Sequence, residues 1–185
     1  MHRIFIAINL PENIKQKLNL YQERLEEIPA KWTKKENLHI TLVFLGNVAE
    51  AEIPEICKIV ERVVQKNSPF FLILKSILYG PPKKPPRMVW VKGEESLELG
   101  QLQKDLEKAL IEQTSFQKEN KGYAPHITLA RIKQWQFKQM DQEALPEVNE
   151  EISLSFPVNS IEIMESKLRP QGPEYFILES IPLKD

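Results

Sequence analysis

The 185-residue chain predicts an α+β fold, two similar halves built around antiparallel sheet, on three observations. Strand-like and helix-like segments alternate irregularly, with several strands adjacent in sequence, which disfavours a doubly wound parallel sheet. The string His-Ile-Thr-Leu occurs twice, at His39 to Leu42 and at His126 to Leu129, and the copies lie nearly half the chain apart. No composition shift, linker or low-complexity tract divides the sequence, so residues 1–185 are expected to form one bilobal domain with a pseudo-two-fold axis.

Each element has a local reason. Arg3 to Asn9 reads as a strand with Phe5, Ala7 and Asn9 on one face and Ile4, Ile6 and Ile8 on the other. Pro11 opens a helix from Glu12 to Glu26, in which Ile14, Leu18, Tyr21 and Leu25 recur at spacings of three and four, and Pro29 stops it. Leu38 to Leu45 is the next strand, closed by Gly46-Asn47. Ile56, Ile59, Val60 and Val63 share a face of a helix over Ile53 to Val64. Phe70 to Tyr79 and Met88 to Val91 read as strands joined by a proline-rich loop. In the helix from Leu97 to Ile111, Leu99, Leu102, Leu106 and Leu110 are in phase. Ala124 to Ile132 is the second motif strand. Beyond an unpatterned stretch, Trp135 to Val148, the segments Ile152 to Phe156, Ser160 to Glu165 and Tyr175 to Leu178 complete the β content. The halves are expected to meet near residues 80–92, to form a cleft lined by antiparallel strands, and to carry the helices on their outer faces.

Composition bounds the partners. Lys and Arg number 25 against 26 Asp and Glu, so no overall field draws the molecule to long duplex nucleic acid. The concentrated basic stretch Lys83-Lys84-Pro85-Pro86-Arg87 could touch a phosphate backbone, but reads first as a stiff, solvated connector. The single cysteine, Cys57, excludes an internal disulfide and reads as a buried thiol in a reducing compartment. No apolar run approaches the roughly 20 residues of a membrane span, and the opening Met1 to Asn9 is too soon interrupted for a signal peptide. A cytoplasmic monomer with no membrane partner is expected, because one chain completes the cleft.

The repeat carries the chemistry. Three His and four Thr occur in the chain, and two of the three His have Thr two places later, an accident of order one in a thousand. Residues two apart on a strand project from the same face, roughly 6.6 Å apart. Each motif therefore presents an imidazole and a hydroxyl together. Two such strands side by side would set His39 and His126 across one cleft. With an unperturbed pKa near 6.5, one imidazole can accept a proton while the other donates one. In-line displacement at phosphorus needs base and acid on opposite sides, and hydroxyls from Thr41 and Thr128 can donate to the non-bridging oxygens without a metal.

At these residues the chain resembles the two-histidine phosphoesterase superfamily and, within it, the LigT-like RNA 2',3'-cyclic phosphodiesterases, once called 2'-5' RNA ligases. The resemblance runs from Arg3-Ile4-Phe5-Ile6-Ala7-Ile8-Asn9-Leu10-Pro11 through Trp32 and Glu36-Asn37-Leu38-His39-Ile40-Thr41-Leu42-Val43-Phe44-Leu45-Gly46. It continues through Val89-Trp90 and Ala124-Pro125-His126-Ile127-Thr128-Leu129-Ala130-Arg131 to Glu165-Ser166-Lys167-Leu168, Gly172 and Tyr175. It implies a LigT-like fold and hydrolysis of 2',3'-cyclic phosphate RNA ends to 2'-phosphate, without cofactor or metal. The implied substrates are RNA ends, tRNA fragments and 2'-5' oligonucleotides among them, in a tRNA-processing setting. By the same resemblance His39 would protonate the leaving 3'-oxygen, His126 would activate water, and Thr41, Thr128 and Arg131 would hold the phosphate. Arg131 lies five residues beyond His126, on the opposite strand face unless a bend intervenes.

Other readings stay open on the residues. A zinc site wants a third and fourth ligand, and neither motif has one at ligand spacing; Glu36 falls on the other face from His39. A pocket that binds an RNA end without turnover, or one that forms a 2'-5' linkage from a cyclic phosphate and a 5'-hydroxyl, would use the same residues. Phe44, Trp32, Trp90 and Tyr123 could stack on a base or simply pack, Arg87 and Arg169 could meet RNA or form surface ion pairs, and His2 is read as a mobile terminal residue with no role.

Overall fold

The computed structural model of the chain describes residues 1–82, 85–118, 122–140, 146–170 and 172–184. Lys83 and Lys84 of the basic stretch lie outside the described residues. The elements are β1 His2–Asn9, α1 Glu12–Arg24, β2 Ala30–Trp32, β3 His39–Val48, α2 Ile53–Val64, β4 Phe70–Gly80 and β5 Met88–Gly93. They continue with α3 Leu97–Gln113, β6 Ile127–Ile132, α4 Gln134–Gln139, β7 Asn149–Val158, β8 Ser160–Arg169 and β9 Gly172–Pro182.

The strands form one sheet in the order β7-β4-β5-β6-β3-β1-β8-β9, with β2 paired to β6 off that path. All of these pairings are antiparallel. The order is symmetric about the contact between β3 and β6. On one side run β3, β1, β8 and β9, and on the other β6, β5, β4 and β7. In each lobe a strand and a helix precede the motif strand, β1 and α1 before β3, β5 and α3 before β6. The lobes thus meet at β3 and β6 rather than at residues 80–92. The expectation failed because β8 and β9, from the end of the chain, pair back onto β1, so the halves are not two consecutive stretches of sequence.

The sheet is apolar on both sides but unequally. Ile4, Ile6 and Ile8 of β1 join the main core with Ile14 and Leu18 of α1, Ile59 and Val64 of α2, and Leu102, Leu106 and Leu110 of α3. Helices α2 and α3 pack against each other there, and each fully buried Leu or Ile contributes roughly 1.5–3 kcal/mol. Ser96 starts α3 by accepting a hydrogen bond from the Leu99 amide at 3.1 Å, a cap of about 1 kcal/mol. The opposite face holds a smaller cluster, Phe5, Ala7 and Met164, with Tyr175 against it.

Several expected boundaries move. Gly46 and Asn47 do not close β3; Gly46 adopts φ +75°, pairs with Ile4, and lets the strand bulge and run on to Val48. The second motif strand begins at Ile127 rather than Ala124, since Pro125 has no N–H for a ladder and the Ala124 carbonyl is taken by a side chain. β2 was not foreseen, being three residues long without alternation. The stretch from Trp135 contains α4, while residues 141–145 lie outside the described residues. β7, β8 and β9 all outrun the predicted apolar segments because their polar residues pair as well. His2 is the first residue of β1, its Nδ1 2.7 Å from Glu165 Oε1, so it is not a loose terminus. Cys57 is only half-buried.

Candidate active site

The two motif strands touch at one pair, Ile40 opposite Ile127. That antiparallel register sets His39 alongside Thr128 and Thr41 alongside His126. The imidazoles are then diagonal neighbours, with Cβ atoms roughly 7–8 Å apart. Beyond this pair the strands part, and β2 fills the gap, pairing Trp32 with Ala130, Lys31 with Arg131 and Ala30 with Ile132.

Each motif strand then bulges just after its threonine. On β3, Ala7 faces Thr41 while Ile6 faces Val43, leaving Leu42 extra; on β6, Trp90 faces Thr128 while Val89 faces Ala130, leaving Leu129 extra. Leu42 and Val43 are both buried, as are Leu129 and Ala130, so two consecutive side chains enter the core and the alternation restarts one residue later. The fifth residue after each histidine, Phe44 in one strand and Arg131 in the other, is consequently returned to the histidine face, and both are exposed. This is the bend on which the placement of Arg131 depended.

Both rings are held in the same way. Nδ1 of His39 lies 2.7 Å from the Asn37 carbonyl and Nδ1 of His126 lies 2.7 Å from the Ala124 carbonyl, two residues back in each case. A carbonyl only accepts, so each Nδ1 carries the hydrogen and each Nε2 is the reactive nitrogen. His39 Nε2 lies 3.0 Å from Thr41 Oγ1, which donates to it while the ring is neutral. Asn37 also donates from Nδ2 to the Pro173 carbonyl at 2.8 Å, tying the His39 clamp to the strand that carries Tyr175.

Aromatic walls complete the setting. Phe5 and Tyr175 flank His39 at 5.0 and 5.2 Å, tilted and edge-on. Phe44 stacks on Phe5 at 5.7 Å, and its ring remains 43% exposed. Trp90 stacks on His126 at 4.0 Å and 25°. Gly80 makes this possible: a Cβ there would stand 2.1 Å from Trp90 Cδ2, so only a bare backbone lets the indole lie flat. Met88 Sδ accepts from Trp90 Nε1 at 3.5 Å and lies 3.6 Å from Arg131 Nη1, placing Arg131 beside the indole that covers His126.

Burial is the main influence on both imidazoles. Desolvation holds His39 down to about 4; the hydrogen bond to the Asn37 carbonyl opposes this, and the charges of Lys15 and His126 add to it. His126 is also lowered, first by burial against its hydrogen bond to Ala124, then by Arg131 and Lys92. Among the described residues the charges that shift the two rings, those of Lys15, Lys92, Arg131 and the other imidazole, are cationic, which suits an anion between them. Among the described residues no three His, Cys, Asp or Glu side chains are grouped as metal ligands would be.

The other sequence candidates are dispersed. Trp32 and Tyr123 pack against the core, Arg169 pairs with Glu174 at 3.2 Å, and Arg87 is exposed on the loop before β5. Sequence reasoning passed over Gln22 and Asn37 as site supports. Gln22 had a signal, since it continues the buried stripe Ile14, Leu18 at a four-residue step.

Residues 8–90 and 92–175 each match the family described as LigT like Phosphoesterase, one His-x-Thr motif falling in each match. An RNA 2',3'-cyclic phosphodiesterase of Aquifex aeolicus is 31% identical over 93% of this chain and 88% of its own. One of Methanocaldococcus jannaschii is 32% identical over 96% and 98%, and one of Thermotoga maritima 34% over 95% and 92%. A crystal structure from Thermus thermophilus aligns with TM-score 0.86 over 98% of both chains at 29% identity. E. coli LigT complexed with 3'-AMP shares the fold, with TM-score 0.81 over 100% of this chain and 99% of that one at 22% identity.

Proposed function

The chain belongs to the LigT-like phosphoesterase family, and from that premise we propose that it is an RNA 2',3'-cyclic phosphodiesterase that opens cyclic phosphate ends to 2'-phosphates. The observation that carries this reading is the pair of matched imidazoles, His39 and His126, on adjoining strands with each Nε2 left unprotonated by an Nδ1 clamp. Relatives about 30% identical over nearly the whole chain bear that activity in their names.

In the proposed reaction the phosphate lies between the rings. His126 Nε2 takes a proton from water as its oxygen bonds to phosphorus. The bond from phosphorus to the 3'-oxygen breaks, and that oxygen takes the proton from Nε2 of His39, leaving the 2'-phosphate. Thr41 and Thr128 donate to the non-bridging oxygens, and Arg131 faces the same charge. His39 is neutral near pH 7 before substrate arrives, so it takes up a solvent proton as the substrate binds, because the phosphate anion favours the protonated ring. The substrates are RNA ends, tRNA fragments and 2'-5' oligonucleotides included, and residues 1–185 act as one bilobal unit and as a monomer. Among the described residues no helix is long and apolar enough to cross a membrane.

The test is an oligoribonucleotide ending in a 2',3'-cyclic phosphate, incubated in chelator with wild type, His39→Ala and His126→Ala, and products separated by end chemistry. A 2'-phosphate made by wild type and lost by at least about a hundredfold in each variant, the low end of general acid or base catalysis, supports the proposal. Ligated product with a 5'-hydroxyl acceptor would make the enzyme a ligase; tight binding without turnover would make it an RNA-end binding module.

A further inference from the structure

The bulge that returns Arg131 to the histidine face is fastened from outside the sheet. The Leu129 carbonyl, at the extra residue of β6, accepts the Thr33 amide at 2.8 Å and Gln22 Nε2 at 2.9 Å. The same Gln22 nitrogen donates to the Thr33 carbonyl at 2.9 Å. Both hydrogens of one side-chain amide are thus used where β6 leaves β3 and takes up β2. Gln22 is buried on a helix face it shares with Ile14, Leu18 and the equally buried Lys15, whose ammonium donates to the Glu36 carbonyl at 3.1 Å. Buried donors call for partners, and the two N–H groups of Gln22 find theirs in the Leu129 carbonyl at the bulge and the Thr33 carbonyl just after β2.

We propose that Gln22 is a positioning residue: through the Leu129 bulge it sets the strand phase that points Arg131 at the phosphate beside His126. This rests on the proposed role of Arg131 in that site. Without the Gln22 donors the Thr33 carbonyl loses a partner and the Leu129 carbonyl loses one of two. The strand then tends toward regular alternation, which would carry Arg131 to the core side. Arg131 already acts electrostatically on His126 and on Tyr175, which edges His39, so its displacement is readable at both rings.

The experiment is a double-mutant cycle with Gln22→Met, which keeps the length and removes the N–H donors, Arg131→Ala, and the two combined. Steady-state kinetics on a cyclic-phosphate oligoribonucleotide and the NMR titration of the His126 ring are measured for each, with the urea midpoint as a folding check. The expected result is a fall of about tenfold in kcat/KM for Gln22→Met, the scale of one disturbed charged contact, that disappears in the Arg131→Ala background. The His126 midpoint should rise in Gln22→Met and in Arg131→Ala alike, since the Arg131 charge lowers it. If Gln22→Met does not fold, Gln22→Asn, which keeps the donors on a shorter stem, is read in the same cycle. Losses that multiply in the double variant, or a His126 titration that Gln22 substitution leaves alone, would overturn the proposal. Arg131→Ala with wild-type kcat/KM would overturn the role of Arg131, and the two failures are distinguished because the NMR arm needs no turnover.

Discussion

Binding of a phosphate anion should recharge His39. In the free protein burial holds this ring at about 4, so at pH 7 it carries no second proton. A single negative charge about 4 Å from the ring, at an effective dielectric near 20, favours the imidazolium by about 4 kcal/mol. At 1.36 kcal/mol per pH unit this is worth about 3 units and would bring the midpoint to roughly 7. The acid the reaction needs would then be created by the substrate rather than kept in waiting. The assay is a ring titration by NMR with labelled histidine, with and without a saturating 2'-phosphorylated nucleotide. The chain has only three histidines, so His→Gln variants assign every resonance. The high-pH limb of kcat, where His39 loses its proton in the complex, should lie well above the corresponding limb of kcat/KM, which reports the free enzyme. A free-state midpoint between 6 and 7, or a rise of less than about one unit on saturation, would refute the reasoning, since the work assigned to the anion would then be unneeded or undone.

Stability should follow the same ring. Its folded midpoint lies below the unfolded 6.5, so its contribution is complete above pH 6.5 and is lost as the pH falls toward about 4; that gap is worth about 3 kcal/mol. Urea unfolding of wild type and His39→Gln at pH 7 and pH 4 should show the variant losing less. Gly80→Ala should displace the Trp90 indole, cost roughly 1–3 kcal/mol in unfolding free energy and lower kcat/KM by freeing His126; an unchanged Trp90 fluorescence and activity would count against the stack. Phe44→Ala should raise KM for RNA by the equivalent of about 1–3 kcal/mol if a base stacks there, with a smaller change in unfolding midpoint than a core aromatic would give because the residue is 43% exposed; an unaltered KM would assign Phe44 to packing with Phe5 and Arg3.

The elements were legible where periodicity was strong. The helix over Ile53 to Val64 and the paired chemistry of the two His-x-Thr strings stood in the primary structure, because a strand's two-residue period puts an imidazole and a hydroxyl on one face wherever the strand lies. Features set by pairing partners were not legible. Nothing local in Thr128-Leu129-Ala130-Arg131 announces a bulge, which exists only relative to β5 and is held by Gln22 from a helix over a hundred residues earlier. Three-residue β2 likewise has no pattern of its own, yet it fills the gap where β3 and β6 part.

By itself the sequence determined the pairing of an imidazole with a hydroxyl on each motif strand and the α+β character, since both depend on residue identity and short-range spacing. Only the tertiary structure decided where the halves meet, which nitrogen of each ring carries the hydrogen, how far burial depresses His39, and on which face Arg131 stands. Those depend on strand register and exclusion of water, and both arise from contacts between segments that are far apart along the chain.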